Sequence, residues 1–277
     1  MVQLGKYNNL TVLKTVDFGI YLDGGDGLEI LMPSRYVPED TKEGDELRCF
    51  VYQDSEARLI ATTERPYATV GEFASLKINS VNAVGAFADW GTSKELLIPH
   101  REQTLKMEEG HRYIVYIYID TVSGRLAGTA KVDKYLDNVP PQYEENQEVD
   151  AFVWKPTPLG YKVIINNRHT GLIYKNQIFQ PVHVGEHLRA WVKGIRDDDK
   201  IDLMLQPMGY RNVINSVEAA ILKCLHNNDG FLPLTDKTDP EVIADKLQCS
   251  KKNFKKAIGA LYKQGRIMIC DDGIRLL

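Results

Sequence analysis

Lys251, Lys252, Lys255 and Lys256 fall at i, i+1, i+4 and i+5 with no acid among them. On a helix that spacing puts the four on one side, while Phe254, Ile258 and Leu261 take the other. A face of this kind neutralises phosphates, which supplies most of the sequence-independent affinity for nucleic acid; a merely solvated face is the plainer alternative. Arg266 and Arg275, just beyond, are placed to join it. A second group interleaves aromatics and bases: Tyr161, Lys162, Arg168, His169, Tyr174, Lys175 and Lys193. Stacking of an unpaired base on an exposed aromatic contributes roughly 1 to 3 kcal/mol and tolerates any sequence, while basic side chains hold the backbone. The plainer alternative is that Tyr161 and Tyr174 fill packing between domains.

Catalytic chemistry finds no such grouping. His183 and His187 flank Gly185 in a predicted loop and strand start, outside any Glu-x-x-His frame, which argues against a metal pair. Asp197, Asp198 and Asp199 with Asp202 read as an acidic hairpin turn rather than a magnesium site. Cys49, Cys224, Cys249 and Cys270 lack Cys-x-x-Cys spacing and read as isolated, reduced thiols. Asp17-Phe18-Gly19 also occurs in protein kinases, but no His-Arg-Asp follows anywhere. Gly24, Gly25 and Gly27 precede strand-like residues and no Gly-Lys-Ser/Thr, so they form a turn, not a phosphate cradle. The expectation is a protein without enzymatic activity, metal or cofactor.

With 277 residues, 43% hydrophobic and 26% charged, the chain has the composition of an ordinary globular protein with room for several domains. No apolar run approaches the ~20 residues that span a bilayer, and residues 1–6 do not resemble a secretory signal, so a cytoplasmic protein with no membrane partner is expected. The formal charge of −4 is unevenly spread. Lys plus Arg against Asp plus Glu is 7 against 12 over residues 1–66 and 10 against 8 over 213–277, so a polyanion should prefer the C-terminal half.

The elements that position these groups repeat. Phe18, Ile20 and Leu22 alternate with Gly19 and Tyr21 at the period of a half-buried strand, and a glycine turn follows. A second apolar run over 28–34 and a third after Gly44 complete the pattern. It recurs from Val84-Gly85-Ala86-Phe87-Ala88-Asp89-Trp90, and more loosely from Gly160-Tyr161-Lys162-Val163. Each copy ends in a charged or glycine turn and a last short strand, the sequence of a small five-stranded barrel of the OB type. Joints lie at 64–67, 138–142 and 206–209, dividing the chain into 1–66, 67–138, 139–212 and 213–277. In the last segment a helix is predicted over 213–227 with Ser216 as N-cap, a second from Pro240 capped by Asp239, and a third after Ser250 ending at Gly265, then a hairpin. The fold class is mainly β with a C-terminal α+β domain: three tandem five-stranded OB barrels followed by a winged helix.

Residues 17–22 resemble the second-strand signature of the RNA-binding domain named after ribosomal protein S-one, and Gly44-Asp45-Glu46-Leu47 and Arg58-Leu59-Ile60 suit its fourth and fifth strands. The domain order of the whole chain is similar to the conserved virulence factor B family, also called YitL-like. That resemblance implies a nucleic-acid face made by an aromatic before the glycine, another two residues after it, a histidine on the third strand and a basic residue near the fifth. The first copy supplies Phe18, Tyr21 and Arg58, with Met32 near the histidine position. In the second are Phe87 and Arg125, with Val84 and Ile98 at the other two positions and Trp90 as a further aromatic. The third has Leu159, Lys162, Tyr174 and Lys200. The expected function is non-enzymatic binding of single-stranded RNA through the third barrel and the winged helix, with a post-transcriptional regulatory role. The alternatives are a regulator whose winged helix binds duplex DNA, and a protein-interaction scaffold with degenerate barrels.

Overall fold

A computed structural model describes residues 1–178, 181–207 and 210–277, the side chains of 210–215 excepted. Met208 and Gly209, in the third predicted joint, lie outside the described residues. The chain divides into two compact units, 1–136 and 137–277.

In the first unit, β1 (Tyr7–Val16), β2 (Gly19–Asp23), β3 (Glu29–Pro33), β4 (Glu46–Gln53) and β5 (Leu59–Thr62) close as a barrel in the order β1-β2-β3-β5-β4. Period-two alternation drives it: Ile20, Leu22, Ile30 and Met32 point inward and are buried, leaving Tyr21 and Leu31 on the outer face. A second set, β6 (Phe73–Val81), β7 (Gly85–Asp89), β8 (Leu96–Pro99), β9 (Arg112–Ile119) and β10 (Leu126–Thr129), has the order β10-β9-β6-β7-β8. Its end strands meet through side chains rather than a ladder, since Leu96 and Ile98 of β8 fill the space beside Gly128 of β10. The two barrels share a core. Phe50 and Tyr52 of β4 pack in one cluster with Trp90, Leu96 and Ile98, and the Phe50 and Trp90 rings meet edge to face at 5.5 Å. Sharing apolar surface is what a ~60-residue domain needs, because alone it buries only about 60% of its unfolded surface.

The second unit opens with a barrel ordered like the first: β11 (Glu148–Thr157), β12 (Gly160–Ile165), β13 (His169–Tyr174), β14 (His187–Ile195) and β15 (Ile201–Met204). Two devices recur in all three copies. The register of the first strand breaks between Val12 and Lys14, Ile78 and Ser80, and Val153 and Lys155, so Leu13, Asn79 and Trp154 are bulged. The second strand begins at Gly19, Gly85 or Gly160, where a Cβ would lie 2.1, 2.4 or 1.9 Å from the carbonyl oxygen of Met32, Ile98 or Ile173 on the third strand.

The winged helix comprises α1 (Tyr210–Asn227), β16 (Phe231–Leu232), α2 (Pro240–Leu247), α3 (Lys251–Lys263), β17 (Ile267–Cys270) and β18 (Gly273–Leu276). Asp239 caps α2, its carboxylate accepting from the Glu241 amide at 2.9 Å, and the Ser250 hydroxyl caps α3 by accepting from the Asn253 amide at 3.2 Å. Two predicted features change. Helix α1 starts at Tyr210, so Ser216 lies inside it rather than at its cap, and β16 adds a third strand to the predicted hairpin, in the order β16-β18-β17.

Burial pushes the Cys49 and Cys249 thiols up to about 11, whereas Cys224 and Cys270 are half-buried. Since the thiolate is the reactive form, alkylation with iodoacetamide at pH 8 of the native protein should label Cys224 and Cys270 first, with Cys49 and Cys249 labelled only on unfolding. Equal labelling of all four, read by peptide mass spectrometry, would contradict this packing.

Candidate nucleic-acid interface

On the third barrel the ladders set Lys155 opposite Lys162, Lys162 opposite Leu172, and Leu172 beside Asp202. Val163, Ile165 and Ile173 fill the core, so this row lies on the outer face. The β-bulge at Trp154 turns its indole toward the same row, where the Lys155 and Lys162 ammonium groups sit 4.1 and 4.6 Å from the ring centroid. A groove of about 400 Å³ runs beside it, lined among others by Leu159, Lys162, Leu172, Arg196, Lys200 and Asp202. Leu159 at its rim is 61% exposed. The Arg196 guanidinium pairs with Asp202 at 2.8 Å and donates to the Tyr174 hydroxyl, so Tyr174 is held by its neighbours at the edge of the face. Lys200 pairs with Asp198 at 2.6 Å and holds that carboxyl below its usual range. The groove is thus lined by apolar residues and cations, with the Trp154 ring beside it, and apolar or aromatic surface with charge is what a single-strand site combines.

Of the residues predicted from sequence, Leu159, Lys162 and Lys200 come together in this groove, with Tyr174 beside it. Tyr161 does not. It alternates with Lys162 and packs, partly buried, against the barrel's own core. Arg168 is exposed in the β12–β13 turn, at the opposite end of that hairpin from Gly160. Lys175 is exposed in the short 3-10 turn after β13, and Lys193 is exposed at a bulge in β14. Trp154, Lys155 and Arg196 were not singled out by sequence reasoning. Their signal was the bulge and the strand register, which single residue types do not display.

Helix α3 buries Phe254, Ala257, Ile258 and Leu261. Lys252 and Lys255 are exposed, Lys255 standing 3.5 Å from Asp236. Lys251 is half-buried and donates to the Thr238 carbonyl at 2.7 Å, tying the helix start to the preceding loop. Lys256 is half-buried. Arg266 is exposed just past the helix, and Arg275 lies over the Phe231 ring at 4.5 Å while pairing with Asp272 at 2.8 Å.

In the first barrel Phe18 is 57% exposed and meets Tyr21 edge to face at 6.3 Å. Lys14, opposite Tyr21 in the ladder, sits 4.8 Å over its ring and pairs with Glu29 at 2.6 Å. Arg58 pairs with Asp54 and Glu56 at 2.7 and 3.0 Å. Met32 and Ile98, assigned to the histidine position, are both inside their barrels; the outward neighbours of Tyr21 and Phe87 are Leu31 and Leu97. Trp90 is corrected as an exposed stacking candidate. It is 2% exposed, packs on Phe50, and its indole N–H donates to the Lys94 carbonyl at 2.5 Å.

The S1 domain family matches residues 4–64 and 70–131, and the CvfB-like winged helix domain matches 219–276. By its CvfB-like winged helix and by its relatives, the chain is similar to the conserved virulence factor B family. It is 25% identical to "Uncharacterized protein YitL" of Bacillus subtilis over 271 residues, 95% of this chain and 90% of that one. It is 24% identical to "Conserved virulence factor B" of Staphylococcus aureus strain N315 over 252 residues, 88% and 84% of the two chains. A solved multidomain protein with nucleic acid binding domains from Streptococcus pneumoniae aligns over 99% of this chain and 98% of its own, with 25% identity and a TM-score of 0.44. S1 and winged-helix domains are nucleic-acid-binding types, and their presence here supports a nucleic acid partner.

Proposed function

We propose that the protein is a non-enzymatic, cytoplasmic RNA-binding protein that holds single-stranded RNA through the third barrel and the winged helix and acts in post-transcriptional regulation. The observation that carries this reading is the outer face of the third barrel, where Trp154, Leu159 and Leu172 offer apolar and aromatic surface and Lys155, Lys162 and Lys200 offer charge. An unpaired base has a free face to lay on such a surface; a base stacked within a duplex has none. The exposed Lys252 and Lys255 of α3 would add phosphate contacts in the same unit. By contrast, the aromatic pair of the first barrel lies in its most acidic segment, where repulsion of phosphate opposes stacking.

Fluorescence anisotropy with a labelled single-stranded RNA tests the reading on the full chain. The double variant Lys162→Glu, Lys200→Glu should weaken binding by roughly tenfold to a hundredfold, and the slope of log K against log salt should fall by about 0.7 for each phosphate that is no longer neutralised. Competition with duplex DNA is part of the same assay. Duplex DNA displacing the RNA at lower concentration than unlabelled RNA would favour the winged-helix DNA regulator, and undetectable RNA binding at low salt would favour the scaffold.

A further inference from the structure

The wing ends in an open edge. Strand β17 ladders with β18 alone, in the order β16-β18-β17, so its other side faces no strand among the described residues. The Leu277 amide donates to the Arg266 carbonyl at 3.2 Å, which makes 266 and 277 a hydrogen-bonded pair. By alternation Met268 and Cys270 also turn their backbone groups toward β18, and those of Ile267 and Ile269 point outward from the edge. The side chains along it are apolar. Ile267 is buried in the winged-helix core, but Ile269, on the same face, is 42% exposed, and Met268 on the other face is 44% exposed. Sheets commonly blunt such an edge with charge, proline or a covering element. Here charges stand only at its ends, Arg266 before the strand and Asp271 and Asp272 after it, all exposed. Asp272 pairs with Arg275 at 2.8 Å, whereas among the described residues neither Arg266 nor Asp271 is in an ion pair.

Opposite charges at the two ends, with apolar residues between them, make the edge complementary to itself when turned end for end. We propose that β17 pairs with β17 of a second copy of this chain, antiparallel about a two-fold axis at Met268. Ile267 of each copy then stands opposite Ile269 of the other, each pair exchanging both backbone hydrogen bonds, and the two wings join in one continuous sheet. In this register both isoleucines meet isoleucine. A shift by two residues sets Ile267 against Asp271 or Ile269 against Gly265. Arg266 comes beside the Asp271-Asp272 turn of the other copy, once at each end. Parallel pairing sets Arg266 beside Arg266 and Asp271 beside Asp271, which like-charge repulsion opposes. The surface joined is an edge rather than a face, so association at about 1 to 100 μM is expected. The pairing needs no nucleic acid.

Sedimentation equilibrium of the full chain, treated with nuclease and freed of nucleic acid, reads the association over about 1 to 200 μM. The mass should rise with concentration from 31.4 kDa toward twice that value. Ile269→Lys should weaken association at least about tenfold, because it sets a charge in the paired edge. Its melting curve should match the parent's, since the side chain is exposed, and so separates a pairing defect from a folding defect. Arg266→Asp and Asp271→Arg should each weaken association by about threefold or more, and the two reversals together should restore it. In a Cys270→Ser background, Met268→Cys should give a disulfide-linked dimer on mild oxidation, because directly opposite residues of a non-hydrogen-bonded pair have Cα atoms about 4.5 Å apart. A mass of 31.4 kDa at every concentration overturns the proposal and leaves the edge to a strand of another protein. A dimer that persists in Ile269→Lys, or that the double reversal fails to recover, places the contact elsewhere and overturns it too. So does a doubled mass seen only after RNA is added back.

Discussion

Gly160→Val should unfold the third barrel and remove most of the protein's affinity for single-stranded RNA. A Cβ at position 160 would lie 1.9 Å from the Ile173 carbonyl oxygen and 2.9 Å from the Tyr174 Cα, both backbone atoms of the partner strand. A flexible side chain could swing away from such a contact, but these atoms are held by the β12–β13 ladder, where Gly160 pairs with Tyr174. Relief therefore requires the two strands to part at the point where Leu159 and Lys162 enter the groove. The expected cost is about 4 kcal/mol or more, the upper end for a point substitution and a large share of the ~5–15 kcal/mol that holds a domain folded. Gly194→Ala is the control, because a Cβ there meets nothing within 4 Å. It should shift stability by no more than about 0.5 kcal/mol. Urea unfolding followed by circular dichroism compares the two. Similar midpoints for both variants would refute the claim that close backbone approach fixes glycine at this point of every copy.

The same glycine explains why the architecture was legible in the sequence and why parts of the site were not. Gly19, Gly85 and Gly160 each lead an alternating apolar strand, and the repeat was visible because both the steric need and the alternation are local. Asp239 before Pro240 and Ser250 before Lys251 marked helix starts for an equally local reason, a side-chain oxygen reaching an amide two or three residues on. Orientation across the sheet is not local in this sense. Tyr161 was grouped with Lys162 because both residue types suit RNA, yet neighbours in a strand face opposite ways, and the buried Val163 and Ile165 fix Tyr161 on the inner side. The period likewise puts Met32 and Ile98 inside, one residue out of phase with a surface ligand. Trp154 and Lys14 reach their faces through a bulge and a register, which depend on how the partner strand is aligned. Burial of Trp90 depends on another barrel altogether. Its neighbour Phe50 lies forty residues earlier in the chain, and no pattern within either copy announces their contact.

That contact gives the other large expected effect: Phe50→Ala should uncouple the first two barrels. Phe50 has no exposed surface, and its ring meets Trp90 at 5.5 Å and Tyr7 at 5.7 Å, both edge to face. Truncation leaves a cavity at an aromatic that belongs by sequence to the first barrel and by packing to the core of the second. Such deletions cost about 3–5 kcal/mol, whereas the more conservative Phe50→Leu should cost less than about 1.5 kcal/mol. The difference matters because each barrel alone is close to the size at which a single core barely suffices. Residues 1–136 of the parent chain should therefore unfold in one transition, and in Phe50→Ala the first barrel should melt ahead of the second. Hydrogen exchange read peptide by peptide resolves the two, with β4 amides losing protection before those of β6 and β9. Simultaneous loss of protection, at a cost under about 1 kcal/mol, would mean that the barrels are joined chiefly by their polar ties, Lys94 to the Gln53 carbonyl and Tyr36 to Ser93.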